Sequence, residues 1–286
     1  MKSLANEFFV TMAAAAQAHQ LQQDTYELIV NGIKNESDLA QQVALVDQMI
    51  GIGVDAIVIA PADSKALVPA LARARANGVH VVNIDNRLDG EVLMEYDLVI
   101  PFIGPNNRKG AKEAAEFALA QLPEGVNVVI LEGVTTAQNA IDRRMGFEDA
   151  VAAHAANLVS KQSALWDQTK AAEVTAAILV GHPDVGLILA ANDNMALGAA
   201  SAVAFADLEQ HVAIVGFDNI SAVHPLLLDG RVIATVEQYG DQFAVNGIEL
   251  ALEMINGLTE LVDRETPLVV VSRTDIEEQD LPSNTP

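Results

Sequence analysis

Apolar residues fall in short, nearly unbroken runs along the chain. TYELIV (25–30), VDAIVIA (54–60), VHVVNI (79–84), DLVIPFI (97–103), VNVVILEG (126–133), VGLILAA (185–191) and VAIVGF (212–217) are the main set. Runs this dense in Val, Ile and Leu predict strands covered on both faces. Between them the spacing changes. Leu39, Val43, Val46 and Ile50 recur at three and four residues, which predicts a helix within 36–53, and 64–76 reads as a second helix. The Ala-rich stretch FFVTMAAAAQA (8–18) reads as the first helix of the chain. Alternating strands and helices of this kind define an α/β protein with parallel, doubly wound sheets. Pro101, Gly104 and Pro105 separate the strands of 25–103 from those of 126–237. Two Rossmann-like lobes follow, repeated in architecture without a clear repeat of sequence.

Several runs stop on polar residues: Asp85 after VHVVNI, Asn192 after VGLILAA, Asp218 after VAIVGF and Gln238 after VIATVE. Ligands of open parallel sheets bind outside the carboxyl ends of the strands. Each Asp or Asn could instead cap the following helix, a role whose loss costs about 1 kcal/mol. Asp193 is expected to be such a cap, and Asn219 a further one. Capping does not account for Gln238, nor for two adjacent polar residues where one would serve. Of Arg143 and Arg144, one suits a salt bridge on a helix face and the other a forked donor to hydroxyl oxygens. Trp166, in the polar stretch SALWDQTK, and Phe8 and Phe9 beside Asn6 are either core residues or aromatic faces for a sugar ring.

Composition narrows the field. The 286 residues carry a formal charge of −23, and such a surface repels nucleic-acid phosphates. There are no cysteines, which excludes disulfides, thiolate metal sites and a Cys nucleophile. No apolar run approaches the ~18 residues that would span a bilayer. Asn6 and Glu7 interrupt the point where a signal peptide would turn apolar, so 8–18 is not read as an export signal. G-x-S-x-G, H-E-x-x-H, Walker A and G-x-G-x-x-G patterns are missing, and the six histidines have no metal-ligand spacing. DNRLDG resembles the start of a calcium loop, but Arg87 fills a ligand position and Tyr96 stands where Glu is needed. Neither a metal nor a cofactor is expected, and binding without turnover is the economical reading.

KSLANEFFVTM, IAPADSKALVPAL, VHVVNIDNRLD, ILEG with DRRMGFEDAV, AANDNMALGAASAV, VAIVGFDN and IATVEQ resemble, in order, the ribose- and allose-type periplasmic sugar-binding proteins. The likeness spans roughly residues 2–273. It implies a type I periplasmic binding fold of two lobes joined by a three-segment hinge. The lobes would be 1–103 plus 238–264 and 104–237 plus 265–286, with a monosaccharide or sugar alcohol in the cleft. By position, Lys2, Asn6, Phe8, Phe9 and Asp85 of the first lobe would contact the sugar. Arg143, Trp166 and Asn192 would do so from the second, with Asp218 and Gln238 near the hinge. The resemblance also implies a periplasmic monomer that closes on its ligand and delivers it to the permease of an ABC importer, without chemistry on the sugar.

Two departures accompany it. Where the ribose branch has Arg directly after the Asp, this chain has Asn86, with Arg87 one place later. Family members also carry an apolar strand just before the segment matching Lys2–Leu4, with a signal peptide ahead of it. The first strand of the N-terminal lobe is therefore expected to be missing here, through a late start or truncation, leaving that lobe destabilised. Rival readings are the effector module of a sugar-responsive transcription regulator, which would need a helix-turn-helix, and a sugar-modifying enzyme, which would need a cofactor motif or a Schiff-base lysine.

Overall fold

The computed structural model describes residues 1–23, 25–209 and 211–279. The chain divides into two units: Met1–Asn106 with Thr136–Asn139 and Tyr239–Pro267, and Asn107–Thr135 with Ala140–Gln238 and Leu268–Pro286. The first unit opens with α1 (Glu7–Gln23), α2 (Leu39–Ile52), β1 (Ala56–Ile59), α3 (Val68–Ala76), β2 (His80–Ile84), α4 (Gly90–Glu95) and β3 (Phe102–Pro105). The second unit follows with α5 (Asn107–Leu119), β4 (Asn127–Glu132), α6 (Gln138–Ala153), β5 (Asn157–Ser163), α7 (Gln168–Gly181), β6 (Val185–Ala190), α8 (Asp193–Phe205), β7 (Ala213–Val215), α9 (His224–Asp229) and β8 (Val232–Glu237). The chain then returns to the first unit with α10 (Gly240–Ile255) and β9 (Arg264–Thr266), and ends in the second with β10 (Val269–Val271) and α11 (Arg273–Gln279).

In the first unit the strand order is β1-β2-β3-β9, all parallel. One face is covered by α2 and α3, which bury Val46, Leu67, Leu71 and Ala74 against Ile57, Ile59, Val79 and Val81. On the other face Gly247 of α10 lets the helix approach Val58 and Ile84, where a Cβ would collide. Helix α2 begins at Asp38, whose carboxylate accepts from Gln41 N, and ends at Gly53 with φ 77°. The predicted helix over 36–53 is thus present, trimmed by its caps.

The second unit has the order β10-β8-β7-β6-β4-β5, parallel except for β10 against β8. The order reverses between β4 and β6, because β5 lies outside β4 while β6, β7 and β8 continue the other way. Ligands of doubly wound sheets gather outside the carboxyl ends at such a reversal.

Two expectations need correction, and one strand was not expected. Residues 25–30 form no strand; just after them, Ile33 makes one parallel bridge, to Ser3. Residues 98–101 lie outside any strand after Asp97 at φ 52°, and pairing starts at Phe102. The edge strand β5, NLVSKQS, was hidden by its polar, mostly exposed side chains. Among the described residues no helix is long and apolar enough to cross a membrane.

Candidate functional site

Each unit concentrates buried charge at the carboxyl ends of its strands. In the first, Lys2 follows directly on Met1 and its side chain is only 2% exposed. Its Nζ lies 2.9 Å from a carboxylate oxygen of Asp85, 3.9 Å from Glu36 and 5.5 Å from the centre of the Phe9 ring. Asn6 precedes α1, accepts at Oδ1 from Phe8 N, and donates from Nδ2 to Glu36 at 2.9 Å. One ammonium, two carboxylates, an amide and one aromatic face therefore meet at the start of α1 and the end of β2. Phe8 points into the helix layer instead. Its ring stands edge-on to Phe243 at 6.2 Å and fills the space against Gly240.

Asn86 and Arg87 have separate duties. Asn86 is fully buried, donating to Pro61 O at 3.0 Å and Ser64 Oγ at 3.3 Å and accepting from Asn139 N at 3.1 Å. Arg87 pairs with Asp263 at 2.6 Å and covers the Phe102 ring, half exposed. Arg87 thus does not replace an arginine beside Asp85. That cation is Lys2, brought in from the other end of the unit's sequence.

In the second unit Arg143, on α6, is the node. Its Nε donates to Asn107 Oδ1 at 2.8 Å, Nη1 to Ala191 O at 2.8 Å and Asp218 Oδ1 at 3.3 Å, and Nη2 to Gln238 Oε1 at 3.3 Å. The guanidinium lies 3.6 Å from the Phe217 ring centre and 5.6 Å from that of Trp166. Gln238 returns a hydrogen bond to Asp218 at 2.6 Å. A planar fork of five donors suits such a set of divergent acceptors; an ammonium would not. Arg144 takes the other predicted role, bridging to Glu132 and Glu148 on the helix face. Trp166 is buried, and its ring occupies the space that a side chain at Gly133 would need.

The capping assignment shifts by one residue. Asn192, not Asp193, is the N-cap of α8, accepting from Met195 N at 2.9 Å, so its Nδ2 is the group it can turn to a ligand. Asp193 lies inside, accepting from Thr235 Oγ1 at 2.7 Å and Ile220 N at 3.0 Å. Burial pushes its carboxyl up to about 6, against the pull of those two donors. Asn219 is no cap either: it donates to Glu237 and shares a hydrogen bond with His224.

Asp85 (φ 63°), Trp166 (φ 65°), Asp218 (φ 117°) and Asn219 (φ 53°) all have positive φ. Few non-glycine residues adopt it, and the cost is of order 1–3 kcal/mol each. The same backbone conformation recurs at Asp97, Ala155, Leu165, Asp207 and Tyr239, so it marks turns in the chain and not these strand ends alone. Sequence reasoning missed Glu36 and Asn107, which orient Asn6 and Arg143. Each reads as an ordinary loop or helix-start residue, and only tertiary placement reveals it.

Among the described residues no group of three or more His, Asp or Glu is placed to hold a metal. Doubly wound units with buried, hydroxyl-seeking groups at their strand ends are the architecture of type I periplasmic solute receptors. The family profile of the periplasmic binding protein domain matches residues 1–259. The chain is 49% identical over 277 residues to the D-ribose/D-allose-binding protein of Pseudomonas aeruginosa, covering 95% of this chain and 87% of that one. An ABC transporter solute-binding protein from Burkholderia multivorans superposes with a TM-score of 0.93 at 48% identity, over 95% of this chain and 97% of the other. A periplasmic solute-binding protein of Actinobacillus succinogenes with bound D-allose gives a TM-score of 0.91 at 33% identity, over 97% of each chain. The chain belongs to the periplasmic binding protein family.

Proposed function

We propose that this protein captures an aldose of the ribose or allose class, or a sugar alcohol, in the periplasm, and hands it unchanged to the permease of an ABC importer. In this reading Lys2, Asn6, Phe9 and Asp85 act for the first unit, and Arg143, Trp166, Asn192, Asp218 and Gln238 for the second. Both sets engage one sugar, and the units close on it as a monomer, shifting the population toward the bound form. The carboxylates accept from sugar hydroxyls, Arg143 and Lys2 donate to them, and Phe9 and Trp166 offer flat apolar faces to the C–H side of the ring.

The observation that carries the reading is the Arg143 node. A buried guanidinium held on Asn107, Ala191, Asp218 and Gln238 beside two aromatic rings presents fixed polarity with no nucleophile or proton relay. The named relatives are binding proteins too, not enzymes. Hydrogen bonds between neutral hydroxyls and charged groups contribute about 1.5–3 kcal/mol each, so a few provide selective capture. Trp166 is the only tryptophan. Titration with D-ribose, D-allose, other pentoses and hexoses, and polyols should give a saturable change in its emission, with matching heat by calorimetry. No response in either readout across that panel would overturn the proposal.

A further inference from the structure

After β7 the chain turns through Asp218 (φ 117°) and Asn219 (φ 53°), two consecutive non-glycine residues with positive φ. Such residues persist only where the surrounding structure fixes them. Asp193, at the first position of α8, brackets this corner. On one side its backbone N donates to Phe217 O at 2.7 Å; on the other its Oδ2 accepts from Ile220 N at 3.0 Å. Its Oδ1 accepts from Thr235 Oγ1 at 2.7 Å, and that hydroxyl in turn accepts from Asn219 N at 3.3 Å. Asp218 N donates to Val236 O at 2.9 Å. Each amide of the corner therefore has an acceptor, and those of Asn219 and Ile220 depend on Asp193, directly or through Thr235.

Helix capping does not account for this carboxylate, because Asn192 already caps α8. Asp193 is fully buried, where a carboxylate is costly and its pKa rises to about 6. The packing also holds it in one place: a Cβ at Gly216 would collide with its Oδ1. What the group gives in return is the shape of the corner. Asp218 uses one oxygen, Oδ1, for both Arg143 Nη1 at 3.3 Å and Gln238 Nε2 at 2.6 Å, so a small rotation of the corner breaks both contacts.

We infer that Asp193 is a positioning residue of the second unit: by tying Phe217, Ile220 and, through Thr235, Asn219, it holds the corner in the shape that aims Asp218 at Arg143 and at the sugar. Asp193 acts through Asp218 and makes no sugar contact of its own. Its role toward sugar rests on the function proposed above; the clamp on the corner does not.

Three variants test this. Asp193→Ala removes both arms, Thr235→Val removes only the arm to Asn219, and Asp193→Asn keeps an acceptor for Ile220 N and a donor for Thr235 Oγ1. Measured on folded protein, Asp193→Ala is expected to weaken sugar binding about tenfold or more, and Thr235→Val by less. Asp193→Asn should restore most of the affinity. Without ligand, the side-chain amide resonance of Gln238, which reports its bond to Asp218, should shift in Asp193→Ala and return in Asp193→Asn. An Asp193→Ala protein that loses stability yet keeps the parental affinity and the parental Gln238 resonance overturns the inference, since Asp193 is then a core group only. If Asp193→Ala does not fold, Thr235→Val decides by the same two readouts. If the parent chain binds none of the sugars, the proposed function fails, and the Gln238 resonance alone decides whether Asp193 positions Asp218.

Discussion

The two charged clusters solve one problem in different ways. In the second unit a rigid, planar cation is fixed by four acceptors and backed by Phe217, so its orientation is set before any ligand arrives. In the first unit a flexible ammonium is held between Asp85 and Glu36, with Phe9 at a longer distance. One cluster is geometrically saturated; the other carries an excess of carboxylate. Under the proposed function, a ligand would meet positions already fixed at the Arg143 node, whereas Lys2 offers a point charge on a longer, rotatable stem. Differences in sugar preference among relatives should therefore be set more by the first unit than by the second.

The comparison can be broken most directly by removing each cation. Arg143→Met should abolish sugar binding and lower the unfolding free energy by about 3–5 kcal/mol. It leaves the buried Asp218 carboxylate without its cation, with only neutral donors such as Gln238 Nε2. Neutral acceptors on Asn107, Ala191 and Gln238 are stranded as well. Lys2→Met should weaken binding but destabilise less, because Lys2 is held by a close contact to Asp85 and a longer one to Glu36, whereas Arg143 ties four acceptors together. Equal losses in denaturant unfolding would show that the clusters do not differ as described.

A second effect belongs to the interior of the second unit. The folded pKa of Asp193, about 6, lies above its ordinary value of 3.8. The folded state therefore binds more protons than the unfolded chain between those values, and stability falls as pH rises through that window. At pH 7 the buried carboxylate costs about 3 kcal/mol. Asp193→Asn keeps one acceptor for Ile220 N and can donate to Thr235 Oγ1, so it should flatten the stability profile between pH 4 and 6. A profile unchanged by the substitution would assign the slope to other groups.

The smallest expected effect separates neighbours on α1. Phe8→Leu should cost about 1 kcal/mol of stability, as an ordinary core change does, and leave affinity unchanged. Phe9→Leu should weaken sugar binding with a similar stability loss. Equal affinities for the two variants would remove Phe9 from the contact set.

The strands were legible where Val, Ile and Leu ran unbroken, because a strand buried on both faces leaves no other trace in composition. The segment 25–30 ends in Leu, Ile and Val, but it lies in no strand ladder, and chemistry alone could not say whether it pairs. β5 failed for the opposite reason: it pairs through its backbone while its side chains face water. The strand-end acids were visible as a pattern, yet their division of labour was not. Whether Asn192 or Asp193 caps α8 depends on where the first turn begins, a single-residue matter that residue type does not decide. Lys2 illustrates the hardest case: Asp85 shows as a polar stop after its strand, but nothing local marks Lys2, far away in sequence, as its partner.

The left-handed backbone at Asp85, Asp218 and Asn219 limits how this receptor can be retuned. A residue branched at Cβ is strained there, so valine, isoleucine and threonine are costly choices for the protein engineer. Aspartate, asparagine and glycine form a narrow alphabet for these corners. Under the proposed function, new preferences would be written mostly at contact positions free of this torsion, such as Asn6, Phe9 and Gln238.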